Sequence, residues 1–248
     1  GLTMYLFVRS AFHSRQAGLF AALAYVLSVW HMQHVLLMGR LPVGLFYALL
    51  PLPFHCLKAA SRSDDARRWM VTGAAATAAL FYTHPGFALW TCGFLVLYTF
   101  IIGLFEPDSR NRLVVRGLVL VGLGVALSAY LVIPMWAERA YTGLRDGVDF
   151  TRFGGEPTWR QIFLWSNYHV RLFDTDLDNW SGAYVGTVPL VFAAWGLVSA
   201  PWRTRGPFRS AATMAAAGTI ISLVLLLGYR GLSPYTGIIL KTITASRF

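Results

Sequence analysis

The stretch MVTGAAATAALFYTHPGFALWTCGFLVLYTFIIGLF, residues 70–105, holds 36 positions without a Lys, Arg, Asp or Glu. A membrane-spanning helix needs about 20 mainly apolar residues, because the hydrocarbon layer is about 30 Å thick. The stretch accommodates two such helices, the first one short, and His84-Pro85-Gly86 supplies a turn between them. A re-entrant hairpin is the alternative. Basic residues flank both ends, so the chain returns to the side from which it entered.

The composition of the whole chain excludes a soluble globular domain. Of its 248 residues, 56% are hydrophobic and 13% are charged, whereas a soluble domain is about 25% charged. The mean hydropathy is +0.54. The net charge of +10 does not indicate nucleic acid, because the basic residues lie in short gaps beside apolar stretches rather than on a polar module. Anionic lipid headgroups are the natural partners of such gaps.

The polar segments, or gaps, between the apolar stretches alternate between rich and poor in basic residues. Four of these gaps hold 12 of the 21 basic residues. These gaps are residues 9–15, 58–68, 110–116 and 203–209. Because basic loops resist translocation, they are predicted to be cytoplasmic. The segments predicted to lie outside are residues 31–40, 84–86, 136–183 and 229–237.

These patterns predict an all-α fold, a polytopic transmembrane helix bundle of about seven full spans with a truncated span at each end. The full spans are predicted at about 17–37, 41–58, twice within 70–105, 113–135, 184–200 and 210–228. Since both ends of the chain are apolar, residues 1–248 are expected to be a single transmembrane domain from the inside of a longer protein.

Proline interrupts the second predicted span, which carries Pro42, Pro51 and Pro53. A proline removes one backbone N–H and frees the carbonyl four residues earlier. Membrane helices tolerate this where neighbouring groups bond to the freed carbonyl, so a kinked span is predicted. Small residues at 73–76 and 215–218 suit close packing between helices.

One outer loop, residues 136–183, is the largest segment outside the membrane. Its core, residues 156–165, begins with Pro157 early and continues with aromatic residues, which is typical of a helix start. An amphipathic helix lying in the membrane interface is one interpretation. A coiled loop whose Trp and Tyr belong to the aromatic belt is the other.

Polar residues near membrane depth are costly, and those on the predicted outer side are the candidate substrate-binding residues. They are His31, His34, Arg40, His84, Glu138 and Arg139. His31 and His34 share one helical face if the helix persists, and with Arg40 they suit a phosphate or a lipid headgroup. Histidines wetted by the interface are the alternative.

The other candidates also have two interpretations each. His84 either points into an outward-facing cavity or is simply a polar turn residue. Glu138 and Arg139 either orient a substrate phosphate or supply a carboxylate base, or they pair with charges of the loop. No metal site and no cofactor are predicted: Cys56 and Cys92 lie inside apolar segments. The carboxylates at 174–178 lack the glycine and the glutamate of a calcium loop.

A family resemblance follows from several short motifs. The run AYLVIPMWAER, residues 129–139, is similar to a span end in bacterial membrane proteins of the GT-C glycosyltransferase type. Among these, the chain most resembles the relatives labelled "6-pyruvoyl-tetrahydropterin synthase-related". Further matches are Thr83-His84-Pro85, the run YVGTVPL at 184–190, and Ser246-Arg247-Phe248.

The resemblance implies an integral protein of the bacterial cytoplasmic membrane that transfers sugar from a polyprenyl-phosphate donor at the outer face. The product would be a cell-envelope glycan or lipid. In that family the catalytic acidic residue usually lies in the first outer loop, which is expected to precede residue 1, so no catalytic residue is named here. His31, His34, Arg40, His84 and Arg139 would contact the donor phosphate. A transporter or flippase of a lipid-linked substrate and a non-catalytic membrane scaffold are the alternatives.

Overall fold

The structure, a computed structural model, describes residues 1–32, 35, 39–105 and 110–138. Helices and no strands occupy this part of the chain, so the predicted all-α class is confirmed there. In chain order the helices are α1 Leu2–Phe12, α2 Arg15–Val26, α3 Val29–Met32, α4 Leu41–Leu49, α5 Pro51–Arg62, α6 Ala66–Thr83, α7 Pro85–Phe105, α8 Arg110–Leu127 and α9 Ala129–Ala137.

Two of the described segments are long and apolar enough to cross a membrane. They are Leu41–Arg62, which joins α4 to α5, and Pro85–Leu104 in α7. The bent pair of α8 and α9 makes a third if it counts as one span. The described residues thus contain two or three candidate spans, and the predicted bundle of about seven spans is not confirmed. The spans predicted at 184–200 and 210–228, and the outer loop beyond Glu138, lie outside the described residues.

The span predicted at 17–37 is not one continuous helix. Helix α2 ends at Val26, and its 12 residues measure about 18 Å, which is too short to cross a bilayer. Ser28 begins a new turn because its hydroxyl accepts the backbone N–H of His31 at 3.4 Å. A serine in this position caps a new helix, α3, instead of extending the old one.

The span predicted at 113–135 is bent by 66° between α8 and α9. At the bend, the Ser128 hydroxyl donates to the Val125 carbonyl at 2.9 Å. The Ser128 backbone N–H is shared between the carbonyls of Gly124 and Val125. A serine that bonds back to its own helix in this way often bends it.

Residues 1–132 belong to one compact unit, and the described residues from Ile133 belong to a second. Within the first unit, α6 packs against α4, α5, α7 and α8, while α1 packs against α2 and α5. Two buried clusters form its core. The cluster nearer the basic gaps contains Leu57, Leu95, Tyr98, Ile102, Leu113 and Leu120. The cluster nearer His84 contains Phe46, Leu80, Phe81, Ala88 and Cys92.

Glycines let α8 approach its neighbours closely. A Cβ added at Gly124 would lie 2.5 Å from the Cβ of Thr77 on α6 and 3.2 Å from the Ala74 carbonyl oxygen. At Gly117 it would overlap Thr99 of α7. Since lipid gives helices no hydrophobic reason to associate, this close contact is a main source of their attraction.

Proline inside the Leu41–Arg62 span frees the carbonyl of Tyr47, because Pro51 has no N–H to donate to it. The Tyr25 hydroxyl of α2 donates to that carbonyl at 2.6 Å. In return, the Tyr47 hydroxyl donates at 3.2 Å to the carbonyl of Tyr25, near the end of α2. The two rings stack at 3.8 Å with 6° between their planes. We call this the tyrosine pair; it confirms the expectation that a neighbouring group satisfies the freed carbonyl.

The substitution Gly124→Ala should destabilise the protein by about 1–3 kcal/mol, because the methyl group meets a β-branched side chain and a backbone carbonyl. Gly122→Ala is the matched control on the same helix, since nothing lies within 4 Å of a Cβ there. Thermal unfolding in detergent, followed by tryptophan fluorescence, measures both. Equal unfolding temperatures for the two variants would contradict the packing described.

The substitution Tyr25→Phe should cost about 1–3 kcal/mol, because it keeps the ring but leaves the Tyr47 carbonyl without its donor. Tyr130→Phe should change little, since Tyr130 is 88% exposed.

The substitution Tyr25→Phe in a Pro51→Ala protein tests whether the proline creates the need for the Tyr25 hydroxyl. Leu50 has helical backbone angles, φ −48° and ψ −43°, so an alanine at position 51 would direct its N–H toward the Tyr47 carbonyl. Tyr25→Phe should therefore cost less in a Pro51→Ala protein than in the native one. Identical costs in the two backgrounds, measured by denaturant unfolding, would show that the tyrosine hydroxyl does not replace the missing N–H.

Candidate functional site

Three predicted site residues lie around helix α4. Arg40 directly precedes the helix as its N-cap residue. The ring of His31 stacks on Tyr47 with 4.7 Å between ring centroids. The ring of His84 meets Phe46 edge-on at 6.4 Å. Because Phe46 and Tyr47 are consecutive residues of α4, this helix holds both histidines, with Arg40 at its start.

His31 is fixed by backbone and ring contacts. Its N–H bonds to Ser28, whose hydroxyl also lies 3.0 Å from the Tyr47 hydroxyl. Its Nδ1 atom is enclosed and has no hydrogen-bond partner among the described residues. A buried ring nitrogen without a partner is uncommon and can accept or donate one further hydrogen bond.

His84 lies between α6 and α7, and its side chain caps the start of α7. Its backbone is extended, φ −158° and ψ 94°, as expected for a residue before proline. Its Nδ1 accepts the N–H of Phe87 at 3.4 Å, and its ring stacks on the Phe87 ring at 4.0 Å. In the neutral imidazole, the proton therefore lies on Nε2.

Arg40 and His84 are close enough to interact electrostatically. Burial lowers the pKa of His84 below its ordinary value, and the positive charge of Arg40 lowers this pKa further. The neutral imidazole is thus favoured in the folded protein.

The other predicted site residues add no described contact to those around α4. His34 and Arg139 lie outside the described residues. Glu138 follows the end of α9, where it is exposed and its N–H bonds to the Pro134 carbonyl at 2.8 Å. In the described part of the chain, no group of three or more His, Cys, Asp or Glu side chains is placed to hold a metal ion.

Sequence reasoning missed a second polar site, a cavity of about 530 Å³. We call it the basic pocket; it is lined by Leu6, Arg9, Ser10, His13, Arg15, His55 and Arg62. Arg40 and Arg62 stand at the two ends of the 22-residue span Leu41–Arg62, about 33 Å apart along a helix. The pocket therefore lies at the opposite end of that span from the group around Arg40.

The substitution Arg40→Gln should raise the pKa of His84, because it removes a positive charge that disfavours the imidazolium. Since the folded state lowers this pKa, the unfolded state binds more protons, and His84 opposes folding as pH falls from its ordinary pKa through the folded one. The variant should lose less stability on acidification.

Histidine side-chain NMR in detergent, with His84→Gln to assign its signal among the six histidines, measures the change. Arg15→Gln is the control, because Arg15 is not among the groups that act on His84. A shift of equal size in the control would mean that net charge, and not proximity, sets this pKa.

Comparison with known proteins adds no assignment to either site. No family model, no curated protein and no solved structure matches the chain. The likeness to GT-C glycosyltransferases rests on the short motifs of the sequence alone, so the activity it implies is a proposal.

Proposed function

We propose that the protein binds a polyprenyl-phosphate-linked sugar at its outer face and acts as a GT-C-like glycosyltransferase in building a cell-envelope glycan or lipid. The observation that carries the proposal is that His84, whose ring contacts Phe46 of α4, lies within electrostatic reach of Arg40, the N-cap residue of the same helix. Both residues belong to segments that the charge pattern assigns to the outer side.

The chemistry of this pair suits a phosphate. A guanidinium donates two parallel hydrogen bonds to phosphate oxygens, so Arg40 would carry most of the charge recognition. His84 would add a neutral donor through Nε2, because its Nδ1 accepts from the backbone. The first turn of α4 contributes a positive dipole end.

Exposed apolar side chains on the two helices that begin just after Arg40 and His84 suit the prenyl part of the donor. Leu41 is 71% exposed and Leu45 is 53% exposed, one helical turn apart on α4. Trp90 on α7 is 46% exposed. A prenyl chain in the membrane could pack on these side chains while its phosphate contacts Arg40.

A flippase or transporter of the same lipid-linked substrate is the second candidate function. The bend of 66° between α8 and α9 favours it, because broken helices are typical of transporters. Both functions require the phosphate of the lipid to bind, and they differ in whether the sugar leaves that lipid.

In nanodiscs, the protein should bind polyprenyl phosphate more tightly than polyprenol, since only the former offers charge to Arg40. Arg40→Gln should weaken binding of the phosphate by about tenfold or more. Arg112→Gln is the control, because Arg112 is exposed and lies near the start of α8, on the other predicted side. Native mass spectrometry counts bound lipid in each case, and unchanged binding by the Arg40 variant would overturn the proposal.

A labelled donor separates the two functions. With a polyprenyl-phosphate-linked radioactive sugar and a membrane fraction as the source of acceptor, a transferase releases polyprenyl phosphate as the label moves to the acceptor. A flippase moves the intact labelled lipid between leaflets of a vesicle. Arg40→Gln should reduce whichever activity is present, while Arg112→Gln should leave it unchanged.

A further inference from the structure

We infer that the basic pocket is a second anion site, one that binds a phosphate group at the end of the bundle opposite to Arg40. Its lining contains three guanidinium groups, from Arg9, Arg15 and Arg62, and no carboxylate. Within the described residues, none of these three arginines forms an ion pair. Three uncompensated cations around one cavity attract an anion.

The turn between α1 and α2 brings two of the arginines together. Helix α1 ends at Phe12, and His13 has a positive φ of 55°, a conformation that costs a non-glycine residue free energy. This left-handed residue reverses the chain. As a result Arg9, in the last turn of α1, and Arg15, at the start of α2, line the same cavity.

Arg15 is in a position that its own helix disfavours. The start of a helix is the positive end of its dipole, so a cation there is destabilising without a partner. An anion in the pocket would offset the charge of Arg15 and would also face that dipole end. This placement is consistent with a ligand in the pocket.

Two hydrogen bonds, both from the Nη1 atom, fix the position of the Arg62 side chain. Its Nη1 donates to the Ser10 carbonyl at 3.0 Å and lies 2.6 Å from Nε2 of His13. Because a guanidinium only donates, His13 Nε2 is the acceptor and that ring carries its proton on Nδ1. The Nε and Nη2 groups of Arg62 take no part in these bonds.

The far wall of the pocket is fixed by His55 of α5. Its Nδ1 lies 3.1 Å from the Ser10 hydroxyl, which donates to the Phe7 carbonyl at 2.8 Å. With that proton engaged, His55 Nδ1 is the donor to Ser10. The ring also meets Trp69 edge-on at 5.4 Å. The pocket thus has a rigid polar floor and exposed arginines at its rim.

A phosphate could reach the pocket on a lipid or in solution, and the position of the pocket favours a lipid headgroup. It lies at one end of a membrane span, where headgroups are found, and that end carries the basic residues predicted to be cytoplasmic. Leu6 forms an apolar wall, and Leu2, one turn away on α1, is 72% exposed. An acyl chain could run along these two leucines. The volume of about 530 Å³ is within the range of small-ligand sites.

The test compares lipid binding by two charge-matched variants. Arg15→Gln removes a pocket residue that is exposed and makes none of the bonds described above, so the protein should fold. Arg67→Gln removes the same charge from the first turn of α6, on the same predicted side but outside the pocket. Native mass spectrometry at fixed ionic strength counts retained phosphatidylglycerol, with phosphatidylcholine as the uncharged comparison.

We expect the native protein to retain phosphatidylglycerol over phosphatidylcholine, and Arg15→Gln to weaken retention about 3- to 10-fold. Arg67→Gln should retain it as the native protein does. Equal loss in both variants would mean attraction to net charge alone and would overturn the proposal. Arg9→Gln gives a second, independent removal from the pocket.

Inorganic phosphate distinguishes the source of the anion. If phosphate raises the unfolding temperature of the native protein and not of Arg15→Gln, while phosphatidylglycerol is not retained, the site takes a soluble phosphate compound. If neither probe binds, the site does not exist. Binding of polyprenyl phosphate through Arg40 is unaffected by Arg15→Gln, so this proposal and the proposed function fail separately.

Discussion

The carbonyl of Tyr47 needs a hydrogen-bond donor, because Pro51 cannot supply one and the middle of a membrane holds no water. Tyr25 supplies it from α2, and the Thr3 hydroxyl of α1 bonds to the next carbonyl, that of Ala48, at 2.6 Å. Both short helices are thereby anchored to the proline-containing span. This anchoring positions His31 beside α4 at one end and the basic pocket beside α5 at the other.

The long apolar segments of this chain could be predicted from its sequence, because hydropathy and helix length determine which stretches suit a membrane. The predicted turn at His84 and the proline-containing span agree with the structure. The breaks at Ser28 and Ser128 could not be predicted with the same method. A single hydroxyl that bonds to the local backbone changes the course of a helix without altering the mean hydropathy of the stretch around it.

The sequence indicated the residues of the site around Arg40 but did not indicate the basic pocket. Charge alternation predicts that Arg40 and His84 lie on one side of the membrane, and the packing of α4 against α6 brings His84 within electrostatic reach of Arg40. The basic pocket combines residues from α1, α2 and α5, and nothing in their spacing along the chain indicates that they share a cavity. A protein with phosphate-binding chemistry at both ends of one span would contact lipids of both leaflets.

The tyrosine pair also has a consequence for biogenesis. The groups that satisfy the carbonyls beside the proline, Thr3 and Tyr25, both precede it in the chain. During synthesis the N-terminal segments emerge and fold first, so in a membrane these donors would be present when the Leu41–Arg62 span enters. The order of the segments along the polypeptide thus spares the proline-containing helix a period in lipid with an unpaired carbonyl.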